Sequence, residues 1–355
     1  MWCWTWALWY AHLECPCCNE SKIIPFTCWS RFCFSCSKPT SDKRTHKLLS
    51  RLPTNISYRH IFFTIPSEFR KFFAINRRWF WHEEALNILS AAANETLKTF
   101  FMKQFWIDTP WFISVIHTFW AALNRNPHIH YIVPEWWFKT IWKNSSSTKV
   151  WLDTQGRYMH YKYFIKIRRA ILAKHLRAYA KLHFSDYAYN EFSKLVSTTY
   201  ADKDRCVFVT KGKASHISTL IWYLGRYLKR PVIWISRILD YDGENIIFEY
   251  YDKSHKKLEK SIVSAEAFLW LLARHIPDRN LKYVRYGWFF ANRCKSTYIA
   301  LIKRLGTSSA KIPYIPLYYA DRLWRSFGLH PLKCSCWWFF ELIKLVYPNS
   351  FIDSS

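Results

Sequence analysis

The chain has 355 residues, 50% of them hydrophobic and 20% aromatic, which excludes a disordered chain and allows two or three domains. Its formal net charge of +27 calls for a polyanionic partner, nucleic acid before a basic membrane surface, because abundant aromatics can also stack on bases. No run of about 18 uncharged apolar residues is present to span a bilayer. The apolar start, Met1 to Tyr10, lacks a basic n-region and a small-residue cleavage site, so the expected location is the cytoplasm.

Residues 1–50 read as a cysteine-rich module. Cys3, Cys15, Cys17, Cys18, Cys28, Cys33 and Cys36 fall here, out of eleven cysteines in the chain. Without a secretion signal this density favours metal over disulfides. Cys15 with Cys18, and Cys33 with Cys36, form two CxxC pairs at a spacing close to the four-thiolate zinc pattern. Cys17 and Cys28 are additional and leave the ligand set open; Cys3 and His12 are further candidates. A module this small needs a metal staple to stay folded.

Residues 51–305 read as one larger domain. Ser57 to Ile65 is a strand stopped by Pro66, and residues 67–105 form a long helical region with a phenylalanine and leucine stripe. Trp111 to Phe119 and His128 to Pro134 are buried strands, and Asn144 to Thr148 is a polar loop. Tyr161 to Phe184 is a basic helix, readable equally as a solvated face and as a phosphate-tracking one. Arg205 to Thr210 is a short strand, and His216 to Lys229 a helix stopped before Pro231. Ile233 to Leu239, Asn245 to Tyr251 and Leu258 to Val263 form a meander whose first turn is Asp240-Tyr241-Asp242-Gly243. Ala265 to His275 is a helix, Lys282 to Tyr286 a strand and Cys294 to Leu305 a helix. The tail, 306–355, is punctuated by proline and carries Cys334-Ser335-Cys336. Without regular βα alternation the fold class is α+β with an antiparallel sheet.

Two short motifs carry the chemistry. His128 and His130 alternate on a strand and so share a face, where two imidazoles can hold one divalent metal. A third ligand is required, and His117, Glu135 and His60 are all available. Tyr223 and Tyr227 stand four apart on a helix and also share a face. A phenol has a pKa near 10, so its attack on a phosphodiester is helped by a metal that polarises the phosphate. Arg226, Lys229 and Arg230 lie beside the tyrosines and can neutralise phosphate charge.

Four stretches in this order resemble the two-tyrosine HUH transposases of rolling-circle insertion sequences, the insertion-sequence ninety-one type. They are Cys28-Trp29-Ser30-Arg31-Phe32-Cys33-Phe34-Ser35-Cys36; His60-Ile61-Phe62-Phe63-Thr64-Ile65-Pro66; His117-Thr118-Phe119 with Asn126-Pro127-His128-Ile129-His130; and Tyr223-Leu224-Gly225-Arg226-Tyr227. The resemblance implies an HUH endonuclease domain with a central antiparallel sheet flanked by helices, preceded by a zinc module. It implies Tyr223 and Tyr227 as nucleophiles that form a 5′-phosphotyrosine, and His128 and His130 as ligands of Mg²⁺ or Mn²⁺. Zn²⁺ falls to the set Cys15, Cys18, Cys28, Cys33 and Cys36. The expected partners are single-stranded DNA at transposon ends and target DNA. The competing readings are a replication initiator or relaxase, and a non-catalytic zinc-dependent DNA-binding protein.

One compositional feature stands apart. The chain has 21 Trp and only 7 Gly, and Trp4, Trp9, Trp136-Trp137 and Trp337-Trp338 stand where the resemblance leads to glycine. A turn with positive φ accepts glycine readily and tryptophan poorly. The expectation is that the source reads UGA as glycine and that these codons are UGA.

Overall fold

The computed structural model describes residues 10–26, 33–49, 52, 57–70, 82–107, 110–143, 146–153, 161–201, 207–209, 232–252, 255–276, 281–287, 290–294, 318–328 and 330–346. The chain divides into two compact units. One comprises Met1–Arg51, Ile221–Arg237 and Lys311–Ser355; the other comprises Leu52–Leu220 and Ile238–Ala310. The tail therefore joins the cysteine-rich module rather than standing as a third body.

The larger unit is built on a five-stranded sheet of strands β3 (Tyr58–Thr64), β4 (Phe112–Phe119), β5 (Arg125–Pro134), β8 (Val207–Val209) and β12 (Val284–Gly287), in the order β12-β4-β5-β3-β8. Every pairing is antiparallel. β4 is buried along its full length and β5 almost so, which explains why both read as continuous apolar runs rather than as an alternation. On one face Ile61, Phe63, Ile116, Ile129, Tyr131 and Val133 enter the main core.

Two long helices cover that face. α2 (His82–Phe105) buries Ala85, Leu86, Leu89, Ala92, Ala93, Leu97, Phe100 and Phe101 at helical spacing. α3 (Tyr161–His183) buries Phe164, Ile167, Ile171, Leu172, Leu176 and Ala180. Phe164 and Phe100 stack at 4.1 Å between centroids, and the Tyr131 hydroxyl donates to Asn94 Oδ1 at 2.7 Å, tying sheet to helix. α4 (Asp186–Ala201) packs on α3 through Phe192 and Val196, in a segment where the sequence alone suggests no element.

Three expectations need correction. Trp136 and Trp137 are not at a turn: they begin β6 (Trp136–Lys143), which pairs with β7 (Ser146–Asp153) as an antiparallel hairpin. Ser146 to Thr148, expected in a loop, are therefore strand residues; β-branched and aromatic residues flank them and the hairpin satisfies their backbone groups. The first meander strand starts later than expected, because Ile235–Arg237 is a 3₁₀ turn before β9 (Ile238–Tyr241). With β10 (Asn245–Asp252) and β11 (Lys257–Ser264) it forms a sheet in the order β11-β10-β9. Its first turn is fixed by the Asp242 carboxylate, which accepts from the Glu244 and Asn245 N–H groups, with Gly243 at φ 104°. α5 (Ala265–Ala273) follows, with the Ser264 hydroxyl accepting from Ala267 N–H as N-cap.

The smaller unit has a three-stranded antiparallel sheet in which β1 (Tyr10–Glu14) lies between β2 (Ser21–Pro25) and β13 (Glu341–Val346). The unit also holds α1 (Phe34–Leu49) and α6 (Tyr319–Phe327). The tail thus supplies a strand and a helix that its proline content did not announce. Among the described residues no helix is long and apolar enough to cross a membrane.

Candidate metal centres

The first centre lies on the sheet face opposite α2 and α3. His128 pairs directly with His117 across β4 and β5, while His130 faces Val115; on the other side they face Thr64 and Phe62 of β3. Residues directly opposite in an antiparallel pair project to the same face. The register therefore gathers His117, His128 and His130, whose nearest ligand atoms all lie within 4.8 Å of one another. Their ring centroids are 4.9–5.3 Å apart, and all three are buried. Of the three candidates for a third ligand, His117 is the one that joins the pair. Glu135 instead forms a buried ion pair with Arg59.

The surroundings prepare these imidazoles. His128 Nδ1 lies 2.6 Å from the Asn126 carbonyl oxygen. A carbonyl only accepts, so Nδ1 carries the proton and Nε2 keeps a lone pair for a metal. His130 Nδ1 is 2.8 Å from His60 Nε2, and the two rings stack at 5.0 Å, which directs the remaining nitrogen of His130 elsewhere. Burial pulls the His60 pKa down to about 4, so it is neutral at pH 7 and serves as a hydrogen-bonding support for His130. Phe62 and Trp120 pack against the rings at 4.9–5.6 Å between centroids. Three buried imidazoles whose nitrogens lie this close together suit one divalent cation.

Tyr223 and Tyr227, and the neighbouring Arg226, Lys229 and Arg230, lie outside the described residues, as does Cys28. The basic helix lies within them. α3 turns Phe164, Ile167, Ile171, Leu172 and Leu176 into the core and Lys162, Lys166, Lys174 and Lys181 to solvent. Lys166, Arg169 and Arg177 line a groove of about 270 Å³ together with Val196 and Ser197 of α4. Arg177 donates to the hydroxyls of Ser193 and Ser197 at 3.2 and 2.8 Å, fixing one wall of the groove.

The second centre is made of thiols. The β1–β2 hairpin places Cys15 and Cys18 beside Cys334 and Cys336, with all four sulfurs within 4.8 Å of one another. Cys15 Sγ is 3.4 Å from Cys336 Sγ, and Cys18 Sγ is 3.5 Å from Cys334 Sγ. Four thiolates at this spacing fit Zn²⁺. Local spacing pairs Cys33 and Cys36 with Cys15 and Cys18. The structure instead packs Cys33 and Cys36 against each other, both buried, in a separate cluster. His12, a further candidate, bonds Ser21 Oγ at 2.7 Å. A hydrogen bond from the Glu20 backbone lowers the Cys18 pKa, but the Cys334 thiol, burial and the other two sulfurs outweigh it and push it up to about 12. Such crowded thiols ionise together only with a cation among them.

Two family models match the chain. One, described as a transposase zinc-binding domain, covers residues 1–65; the other, described as a putative transposase, covers residues 112–297. The chain is 25% identical over 335 residues to the transposase for insertion sequence element IS801 of Pseudomonas savastanoi pv. phaseolicola, covering 89% of this chain and 74% of that protein. It is 26% identical over 331 residues to the putative transposase y4qJ of Sinorhizobium fredii, covering 88% of this chain and 78% of that protein. No solved structure matches.

Proposed function

The chain belongs to the transposases of the insertion-sequence ninety-one type, with their zinc-binding domain at its N-terminal end, and on that premise we propose that it nicks and rejoins single-stranded DNA at transposon ends through tyrosine. The observation that carries this reading is the buried three-histidine group on one face of a five-stranded antiparallel sheet. His117, His128 and His130 would hold Mg²⁺ or Mn²⁺, and His60 and the Asn126 carbonyl would orient two of them. A bound divalent metal polarises a non-bridging phosphate oxygen.

The Oη of Tyr223 or Tyr227 attacks phosphorus and loses its proton. A tyrosine–phosphorus bond forms, the bond from phosphorus to the 3′ oxygen breaks, and that oxygen leaves as a 3′-hydroxyl after taking up a proton. The bond energy is kept as a 5′-phosphotyrosine, so no nucleotide cofactor is needed. A second tyrosine permits a second exchange while the first remains joined to DNA, and attack by a 3′-hydroxyl on the phosphotyrosine reseals the strand. Arg226, Lys229 and Arg230 would neutralise phosphate near the nucleophiles. The basic groove of α3 and α4 supports a polyanionic substrate.

The test uses labelled single-stranded DNA from the ends of the element that encodes the chain, with Mg²⁺ or Mn²⁺. The expected product is a protein–DNA adduct that survives SDS and is lost in the double variant Tyr223→Phe/Tyr227→Phe. Binding without an adduct under either metal would refute the proposal.

A further inference from the structure

The two cysteine pairs of the thiol centre lie far apart in sequence, with Cys18 and Cys334 separated by 316 positions. Each pair sits in a similar tight turn. In the first, Cys15 N–H donates to Glu20 O at 2.9 Å and Asn19 N–H donates to Cys15 O at 2.8 Å, with Asn19 at φ 57°. In the second, Cys334 N–H donates to Trp338 O at 2.8 Å and Trp337 N–H donates to Cys334 O at 3.1 Å, with Trp337 at φ 76°. In both turns the residue directly after the second cysteine is left-handed. That conformation curls the backbone so that two sulfurs point to one spot.

The neighbouring structure holds the turns together. β13 follows the second turn and pairs with β1, which precedes the first. Leu13, Cys15, Cys334 and Phe340 form a small core, flanked by Ala11, Ile24, Leu332 and Cys336. Zinc–sulfur bonds of about 2.3 Å place tetrahedral sulfurs roughly 3.8 Å apart. The two closest approaches here, 3.4 and 3.5 Å, are near that edge length with no rearrangement of the backbone.

We infer that Cys15, Cys18, Cys334 and Cys336 bind one Zn²⁺ as a clasp between two segments far apart in the chain, so that the zinc module of residues 10–26 is completed only by residues 334–336. The site does not depend on the tyrosine chemistry. Cys33 and Cys36 are not ligands of this ion. A clasp closing so long a loop removes much freedom from the unfolded chain. Loss of zinc releases β13 from β1, and a chain ending before Cys334 lacks the site altogether.

Thiol footprinting of the unaltered full-length chain tests this without any substitution. The chain is treated with an alkylating reagent before and after chelation, and each cysteine is followed by mass spectrometry. Cys15, Cys18, Cys334 and Cys336 are expected to be protected together in the zinc-bound chain and to become reactive together on chelation. Equal reactivity of Cys334 and Cys336 with and without zinc, while Cys15 and Cys18 are protected, overturns the inference. Substitution supplies the second arm. Cys334→Ser/Cys336→Ser is expected to lose one equivalent of zinc by elemental analysis, and Cys336→His to keep it. With Co²⁺ in place of zinc, Cys336→His shifts the visible bands as one sulfur is replaced by nitrogen. Unchanged zinc content in the double serine variant refutes the clasp.

Discussion

Replacing Trp106 by glycine should stabilise the larger unit. Trp106 follows the last residue of α2 and has φ 59°; its N–H donates to Met102 O at 3.0 Å. Gly328 occupies the same position after α6, with φ 70° and its N–H donating to Trp324 O at 2.8 Å. Both are left-handed helix caps, a position that glycine fills most often because it has no Cβ to clash with the following carbonyl. A left-handed L-residue costs roughly 1–2 kcal/mol. Glycine gives back about 0.5–1 kcal/mol of that through its greater freedom in the unfolded chain. The Trp106 side chain is 70% exposed, so little burial is lost. The net expectation is a gain of about 0.5–1 kcal/mol, read from the midpoint of urea denaturation. Trp106→Ala is the control: alanine removes the ring and keeps the Cβ, so it should gain little. Equal gains from glycine and alanine, or a loss with glycine, would refute the strain argument. The same reasoning reaches the gene. Trp106 and Trp337 are two of the five non-glycine residues with positive φ among those described, and their codons are expected to be UGA; UGG at both would end the glycine reading.

The remaining predictions concern packing, metal and binding. Gly287 lies against Phe112 where β12 meets β4; a Cβ there would sit 2.5 Å from Phe112 Cζ, so Gly287→Ala should cost about 1–3 kcal/mol in chemical denaturation. His128→Ala should abolish metal-dependent nicking while leaving DNA affinity and its salt dependence nearly unchanged, since affinity rests on phosphate contacts; joint loss of binding and nicking in a filter or gel assay would contradict this. His60→Ala should weaken metal affinity about 10–100-fold, because His60 orients His130 without joining the three ligands; unchanged affinity by titration calorimetry would remove it from the site. Chelation should melt the zinc-dependent unit at a lower temperature than the sheet unit, giving two calorimetric transitions, and a single transition indifferent to chelator would refute this.

What the sequence made legible follows the range of the interactions involved. The central strands were readable because β4 and β5 are buried on both faces and are rich in apolar residues without a charged alternation. The pair His128 and His130 was readable because strand alternation is local. His117 was only one of three options, since the cross-strand register that sets it opposite His128 is not written in either strand alone. Elements that bury little escaped. Among its described side chains α4 buries only Phe192 and Val196 fully, and β13, although Leu342, Ile343, Leu345 and Val346 are apolar, is exposed along most of its length. The thiols show the same limit more sharply. Local spacing pointed from Cys15 and Cys18 to Cys33 and Cys36, the nearest pair of the right kind. The structure joins them to Cys334 and Cys336 instead, because β1 is flanked by β13 as well as β2 and carries the distant turn to its own end. A motif fixes which residues can bind a metal; which of them meet is decided by strand pairing, and here that pairing runs from one end of the chain to the other.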